Sequence, residues 1–329
     1  FLLGVGEVRH VGAEYNGHAR RNGFHRILTA ASQIALADNG NICQCNNRYG
    51  RMWECPDFFV LDGKGVLMVS PQDMRGEEPH FHPGNGNIAL VGTYDEATDT
   101  FTEEGHQIID DGTDFYAMQT VLAPDGRRLM IAWMQNWDTC DQNGAQERKW
   151  FGQMTLPREL TIQNGRLYQK PIRELDQYRS NEVEYKNVTV EGNVTLPGIE
   201  GRVVDMEITI RPKDKEKSFQ KFALWFAQNE KFRTSLSYKP YEGTLKIDRK
   251  FSGSRRAFVH QRRAQVKTND GELKLRVILD RFSAEVFVND GEQALTMTYY
   301  TPQTAEGISF ECTGNALVSV EKYEILTAE

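Results

Sequence analysis

From Gly50 onward, apolar residues come in short runs, Phe58 to Leu61, Val66 to Ser70, Ile88 to Thr93 and Leu129 to Met134. Turn residues separate them: Asp62-Gly63-Lys64-Gly65, Asn85-Gly86-Asn87 and Pro124-Asp125-Gly126. Many short strands at this spacing predict an all-β sandwich, barrel or propeller. Leu160-Thr161-Ile162 and Leu167-Tyr168 flank Asn164-Gly165, a pair suited to the left-handed positions of a type I′ hairpin turn. The stretch Pro171 to Arg179 interrupts the rhythm. Pro171 stands where a helix can start, and Ile172, Leu175 and Arg179 fall on one face, which predicts a short helical linker over 171–182.

Beyond the linker, alternation is clear. Val204, Met206, Ile208 and Ile210 alternate with Asp205, Glu207 and Thr209, and Leu273, Leu275, Val277 and Leu279 alternate with Lys274 and Arg276. That pattern predicts sheets with one buried and one solvated face, as in half of a sandwich. Ala284 to Val288 then meets Asn289-Asp290-Gly291, a tight-turn sequence. This half shows no catalytic motif and reads as a packing or sugar-contacting module. Residues 7–50 do not fit: Cys43 to Arg48 lacks a strand period, and Ile27, Leu28, Ala31, Ile34 and Ala35 predict a weak helix over His25 to Leu36. Helical preference amid β character is a disagreement between levels that folded sequences usually avoid.

Composition narrows the function classes. The 329 residues suffice for two domains, and a net charge of −7 argues against nucleic acid, whose phosphates need clustered Lys and Arg. Arg255-Arg256 and Arg262-Arg263 are the basic cluster, read as the solvated face of a hairpin. No apolar run approaches the ~20 residues that span a bilayer, so no membrane partner is expected. Phe1 to Gly6 is too short for a signal peptide and reads as the inside of a strand. Five cysteines, odd in number and scattered, do not form a disulfide framework and suit a reducing cytoplasm.

A third Gly is missing after Gly4-Val5-Gly6, so no phosphate loop is expected, and no Gly-x-Ser-x-Gly elbow is present. Cys43-x-Cys45 and His80-x-His82 lack zinc-site spacing, so neither metal nor cofactor is expected. Trp53-Glu54-Cys55-Pro56-Asp57 is more informative. It sets a carboxylate between an aromatic ring and a Cys-Pro pair, where a charge is costly unless paired or at work. Desolvation by Trp53 would keep Glu54 protonated, as a general acid requires; a salt bridge at a strand start is the plainer alternative. Asp114-Phe115-Tyr116, Trp133 and Trp150-Phe151 place aromatics among polar groups, the usual lining of a sugar pocket, although each also suits a core.

In order, Met52 to Phe58, Val66 to Gln72, Gly92-Thr93-Tyr94-Asp95, Asp114-Phe115-Tyr116-Ala117, Gly126-Arg127-Arg128, Leu156-Pro157-Arg158-Glu159-Leu160 and Leu279 to Gly291 resemble glycoside hydrolase family 32. These are the invertases, inulinases and sucrose-6-phosphate hydrolases, and the resemblance runs from about Gly50 to the C-terminus. It implies a partial five-bladed β-propeller with about three blades over 1–170, and a β-sandwich over 183–329. It also implies retaining hydrolysis of terminal β-fructofuranosyl bonds, in which one carboxylate attacks the anomeric carbon and a second protonates the leaving oxygen. The acid/base role falls on Glu54. Tyr116 and Trp133 are placed by the same resemblance near that carboxyl or the fructose, with Asp73 and Asp114 as weaker substrate-binding candidates.

The family's nucleophile stands in an Asn-Asp-Pro motif on the first blade, and the chain contains no Asp-Pro dipeptide. The expectation is therefore an N-terminally truncated member whose hydrolysis of sucrose or sucrose 6-phosphate is impaired. Residues 7–50 are read as out of frame with the remainder of the chain, the frame returning near Gly50. A non-catalytic carbohydrate-binding remnant is the alternative. A transferase of the same fold would need the same nucleophile. Missing blades would leave sheet edges uncovered, which predicts self-association.

Overall fold

The computed structural model describes residues 13–14, 28–29, 33–37, 40–77, 80–140, 152–214, 216–253 and 259–326. Phe1 to Gly6, Trp150-Phe151, Arg255-Arg256 and much of 7–50 lie outside the described residues. The chain divides into two compact units. One comprises Phe1–Ile109, Phe115–Trp133 and Met154–Ile172; the other comprises Asp110–Asp114, Met134–Gln153 and Arg173–Glu329.

The first unit is a set of four-stranded sheets. Ala13–Glu14 (β1), Leu28–Thr29 (β2), Gln33–Ala37 (β3) and Gly40–Gln44 (β4) pair in that order. In the described part of His25 to Leu36, residues 28–29 and 33–36, strands stand where the weak helix was expected. Isolated helices this short are marginal, and cross-strand pairing such as Ile34 with Cys43 overrides the local preference. Met52–Leu61 (β5), Lys64–Gln72 (β6), Ile88–Asp95 (β7) and Thr100–Ile108 (β8) form an antiparallel meander. Tyr116–Leu122 (β9), Arg128–Trp133 (β10), Arg158–Gln163 (β11) and Arg166–Pro171 (β12) form another. Asn164 and Gly165, at φ 51° and 74°, make the turn of the last hairpin as expected.

Strand β6 explains why its sequence is continuously apolar. Leu67 and Val69 enter one core with Trp53, Phe81, Ile88 and Leu90. Val66 and Met68 enter a second with Phe59, Phe115, Met118, Met130 and Leu160. Alternate side chains point to opposite faces, so a sheet packed on both sides needs apolar residues at every position.

In the second unit the expected helical linker is a 3₁₀ turn over Arg173–Tyr178, and the next strand starts at Arg179. Arg179–Val194 (β13) pairs along Gly307–Ile325, the last strand. Between them come Val204–Pro212 (β14), Lys221–Gln228 (β15), Arg233–Lys239 (β16), Thr244–Phe251 (β17), Gln261–Gln265 (β18), Leu273–Asp280 (β19), Ser283–Val288 (β20) and Gln293–Thr298 (β21). The final strand (β22) pairs with β15 through its first half and β14 through its second, so it joins two halves of one sheet. Those halves share a single core, including Met206 and Ile208, Leu224 and Phe226, Leu236, Val277, Val286 and Phe310. Arg262 and Arg263 lie on the β17–β18 hairpin; Arg263 is exposed but Arg262 is half-buried, and burial lowers its pKa.

Alternation on β14 holds except at Asp205, which is fully buried instead of solvated. Arg179 and Arg276 approach it at 2.8 and 2.6 Å, so its charge is paired on the face predicted to be wet. Among the described residues no helix is long and apolar enough to cross a membrane.

Candidate active site around Glu54

Pro56 cannot donate to a ladder, and a proline within a paired strand marks a bulge. The β5–β6 register shifts between Glu54 and Asp57, and Cys55 adopts a left-handed φ of 47°. Two side-chain hydrogen bonds between β5 and β9 secure the bulge. Gln119 donates its amide to the Cys55 carbonyl at 2.9 Å, and the Asp57 carboxylate accepts the Thr120 N–H at 2.6 Å. Bulges re-aim side chains, and here the one re-aimed is Glu54.

Tyr116 begins β9 and is buried. Its hydroxyl donates to Glu54 Oε2 at 2.8 Å, with the Ser70 carbonyl at 3.1 Å as a competing acceptor. Burial, followed by the hydrogen bond to Glu54, holds the phenol well above the ordinary tyrosine range. It is therefore a fixed neutral donor to the carboxylate at any physiological pH. Ser70 pairs with Glu54 across β5–β6, and its hydroxyl accepts the Ala117 N–H at 3.0 Å. Ala117, like Cys55, is a non-glycine residue in the left-handed region, at φ 52°. Such strained residues persist where the surroundings over-determine them, and they cluster at functional sites. Trp133 lies opposite Tyr116 in the β9–β10 register, half-buried.

The structure thus brings Glu54 and Tyr116 together, sets Trp133 opposite Tyr116 on the next strand, and corrects the role expected of Trp53. That ring lies in the core with Leu67, Val69 and Phe81, and its indole N–H donates to the Arg48 carbonyl at 3.1 Å. Neighbours on a strand face opposite ways, so Trp53 is not what shields Glu54. Asp73 is exposed just past β6 and lines a cavity of about 690 Å³ with Arg51, Arg75, Glu77, Tyr49 and Phe81.

Asp114 belongs elsewhere. It lies in the second unit, 1% exposed, and accepts Arg249 Nη1 at 2.7 Å, the Thr298 N–H at 2.8 Å and the Thr139 hydroxyl at 2.8 Å. Thr113 and Thr298 hydroxyls also donate to it, at 2.7 and 3.1 Å. A carboxylate so buried and so partnered is held by its own fold, which argues for a structural role over the substrate contact expected of it. The segment around it, Asp110–Asp114, runs against β21, and a side chain at Gly112 would strike the Thr296 backbone.

Sequence reasoning missed Ser70, Gln119, Asp57 and Arg158 as supports. A serine closing the apolar run Val66 to Ser70 was the available signal for the first. Arg158 is fully buried, bonds Gln169 at 2.6 Å and stacks on Phe115, the residue before Tyr116.

Residues 14–171 match the glycosyl hydrolases family 32 N-terminal domain, and 174–326 match the family 32 C terminal domain. The first match starts well before Gly50, so it takes in most of the stretch that looks atypical in sequence. The chain is 32% identical over 276 residues to a probable sucrose-6-phosphate hydrolase of Vibrio cholerae, covering 79% of this chain and 44% of that protein. It is 31% identical over 278 residues to the sucrose-6-phosphate hydrolase of Staphylococcus xylosus, with 84% and 55% covered. Against the raffinose invertase of Escherichia coli it is 32% identical over 276 residues, with 82% and 54% covered. The chain spans about half the length of these relatives. The solved sucrose-6-phosphate hydrolase from Lactobacillus gasseri superposes with a TM-score of 0.74 at 21% identity, over 88% of this chain and 57% of that one. This likeness establishes the shared fold, a partial propeller followed by a sandwich.

Proposed function

Since the chain belongs to glycosyl hydrolase family 32, we propose that Glu54 is the general acid/base of a site for terminal β-fructofuranosyl bonds, with sucrose or sucrose 6-phosphate as the fructoside. The observation that carries this is the Tyr116 hydroxyl on Glu54 Oε2 at 2.8 Å, set at the Glu-Cys-Pro bulge. A neutral phenol orients the carboxyl and leaves its other oxygen to give a proton to the leaving oxygen and later take one from water. Trp133 offers an apolar ring edge to the C–H face of the fructose. Relatives named for sucrose 6-phosphate and for raffinose support the sugar class.

These 329 residues contain no Asp-Pro dipeptide, where the resemblance places the nucleophile. A polypeptide of this sequence alone is therefore proposed to bind fructosides without turning them over by the retaining route. Losing a nucleophile costs orders of magnitude in rate, leaving modest residual catalysis. Assays of purified protein on sucrose and sucrose 6-phosphate should give no turnover for either the parent or Glu54→Gln. Turnover abolished by Glu54→Gln would mean another carboxylate attacks. Calorimetry should show saturable fructose binding that Trp133→Ala weakens, and no heat of binding at all would end the site assignment. A cytoplasmic location and self-association through strand edges belong to the same proposal, and a compact monomer in size-exclusion chromatography would contradict the association.

A further inference from the structure

Met154 stands opposite Trp133 in an antiparallel bridge, and Trp133 stands opposite Tyr116 in the β9–β10 register. Opposite residues of antiparallel chains project to the same side of a sheet, with Cβ atoms about 5 Å apart. Tyr116, Trp133 and Met154 therefore form one row, and the hydroxyl of its first member donates to Glu54 Oε2 at 2.8 Å. The backbone beside Met154 is fixed to β10. Thr155 donates its N–H to the Ala132 carbonyl at 3.0 Å, and its hydroxyl accepts the Ala132 N–H at 3.1 Å. The main chain is held while the thioether stays accessible.

That accessibility sets Met154 apart from the other methionines. Of the nine in the chain, Met154 is 51% exposed, Met52 is half-buried and the rest are buried, Met74 being the most open of these at 5%. Met68, Met118 and Met130 fill one core, and Met206 and Met297 fill another. A peroxide must reach the sulfur it oxidises, so burial protects the core thioethers and leaves Met154 open to attack. Three of the competing thiols are poor reductants for it. Burial raises the pKa of Cys45, Cys55 and Cys312, which withholds the thiolate that reacts.

We propose that Met154 is a reversible oxidation site, and that its oxidation weakens fructoside binding beside Trp133. The inference rests on the fructoside site proposed around Glu54 and Trp133. An unbranched thioether is apolar and adaptable, so next to an indole it extends the surface on which the C–H face of a sugar can rest. Hydrogen peroxide gives one oxygen atom to the sulfur, and its other oxygen leaves as water. The sulfoxide is polar and hydrated, and covering it with an apolar sugar face costs the water it must shed. Oxidation therefore works against binding without altering Glu54 or Tyr116. A thiol-dependent sulfoxide reductase reverses the step, the oxygen leaving as water while two thiols become a disulfide.

Hydrogen peroxide titration of the full chain, read by peptide mass spectrometry and by calorimetry with fructose, tests this. Met154 should gain one oxygen before any other methionine, and saturating fructose should slow that gain. The oxidised protein should bind fructose about two- to tenfold more weakly, the scale of one lost sulfur–aromatic contact. Methionine sulfoxide reductase with a thiol should restore the affinity. Met154→Gln, with a polar amide at the same place, should bind as weakly as the oxidised parent, and peroxide should not change the affinity of Met154→Leu. A loss on peroxide treatment that persists in Met154→Leu assigns the effect to another residue and overturns the proposal. So does another methionine oxidising first, or full oxidation of Met154 with fructose affinity unchanged. Either of those results with fructose still bound refutes this proposal alone. Untreated protein that binds no fructose would end the fructoside site and this coupling together.

Discussion

Glu54 and Asp114 look alike in sequence, each an acid next to large aromatics, and they end in opposite circumstances. Asp114 is 1% exposed and accepts an arginine, a backbone N–H and three hydroxyls. Glu54 is half-buried and is met by the Tyr116 hydroxyl on one oxygen. An acid buried and partnered by its own fold can hold a charge but is not placed to exchange a proton with a substrate. An acid on a bulged strand, oriented on one oxygen, can do so. Partner inventory separates the two, whereas neighbouring residue types do not.

The largest test of that contrast is the buried ion pair. Asp114→Ala strands the Arg249 guanidinium, itself 1% exposed, and should cost about 3–5 kcal/mol in urea unfolding. Glu54→Gln should cost less than about 1 kcal/mol, because the amide oxygen still accepts from Tyr116. Equal losses would erase the distinction. Tyr116→Phe sits between, at about 1–2 kcal/mol, since it removes a buried hydroxyl and leaves the Ser70 carbonyl without that donor.

Alkaline pH probes the same tyrosine. Burial raises the pKa of Tyr116 above its unfolded value of about 10, and burial also raises that of Tyr299. The folded state keeps these protons longer than the unfolded chain does. The stability they add is therefore complete below pH ~10 and is lost as pH rises above it. Cys312, pushed up to about 11 by burial, adds a loss of the same sign from about pH 9. The urea midpoint should stay level toward pH 9 and then fall, less steeply in Tyr116→Phe; a midpoint that climbs past pH 10 would contradict this. The smallest effect belongs to Asp73→Asn, an exposed side chain, which should leave stability within about 0.5 kcal/mol by thermal melting.

Much of the fold was legible because strands announce themselves locally. The runs around Val66 to Ser70, the Asn164-Gly165 turn and the alternation from Val204 to Ile210 all depend on residues within a few positions of one another. Pro56 likewise signals the bulge that aims Glu54. His25 to Leu36 misleads because its apolar spacing favours a helix, while the pairing of Gln33–Ala37 with Gly40–Gln44 is set by tertiary context. Asp205 misleads because a charge on an alternating strand normally faces water. Its arginine partners come from 26 and 71 residues away.

The sequence by itself determined the all-β class, the break near Pro171 and the choice of Glu54 as the candidate acid, because period, turn chemistry and a short motif are properties of adjacent residues. Only the tertiary structure decided which groups meet each acid. It set Tyr116 on Glu54 across 62 positions and Arg249 on Asp114 across 135, and turned Trp53 away into a core. Those outcomes depend on which strands meet and in what register. A buried charge is settled by the groups that reach it, wherever in the chain they originate.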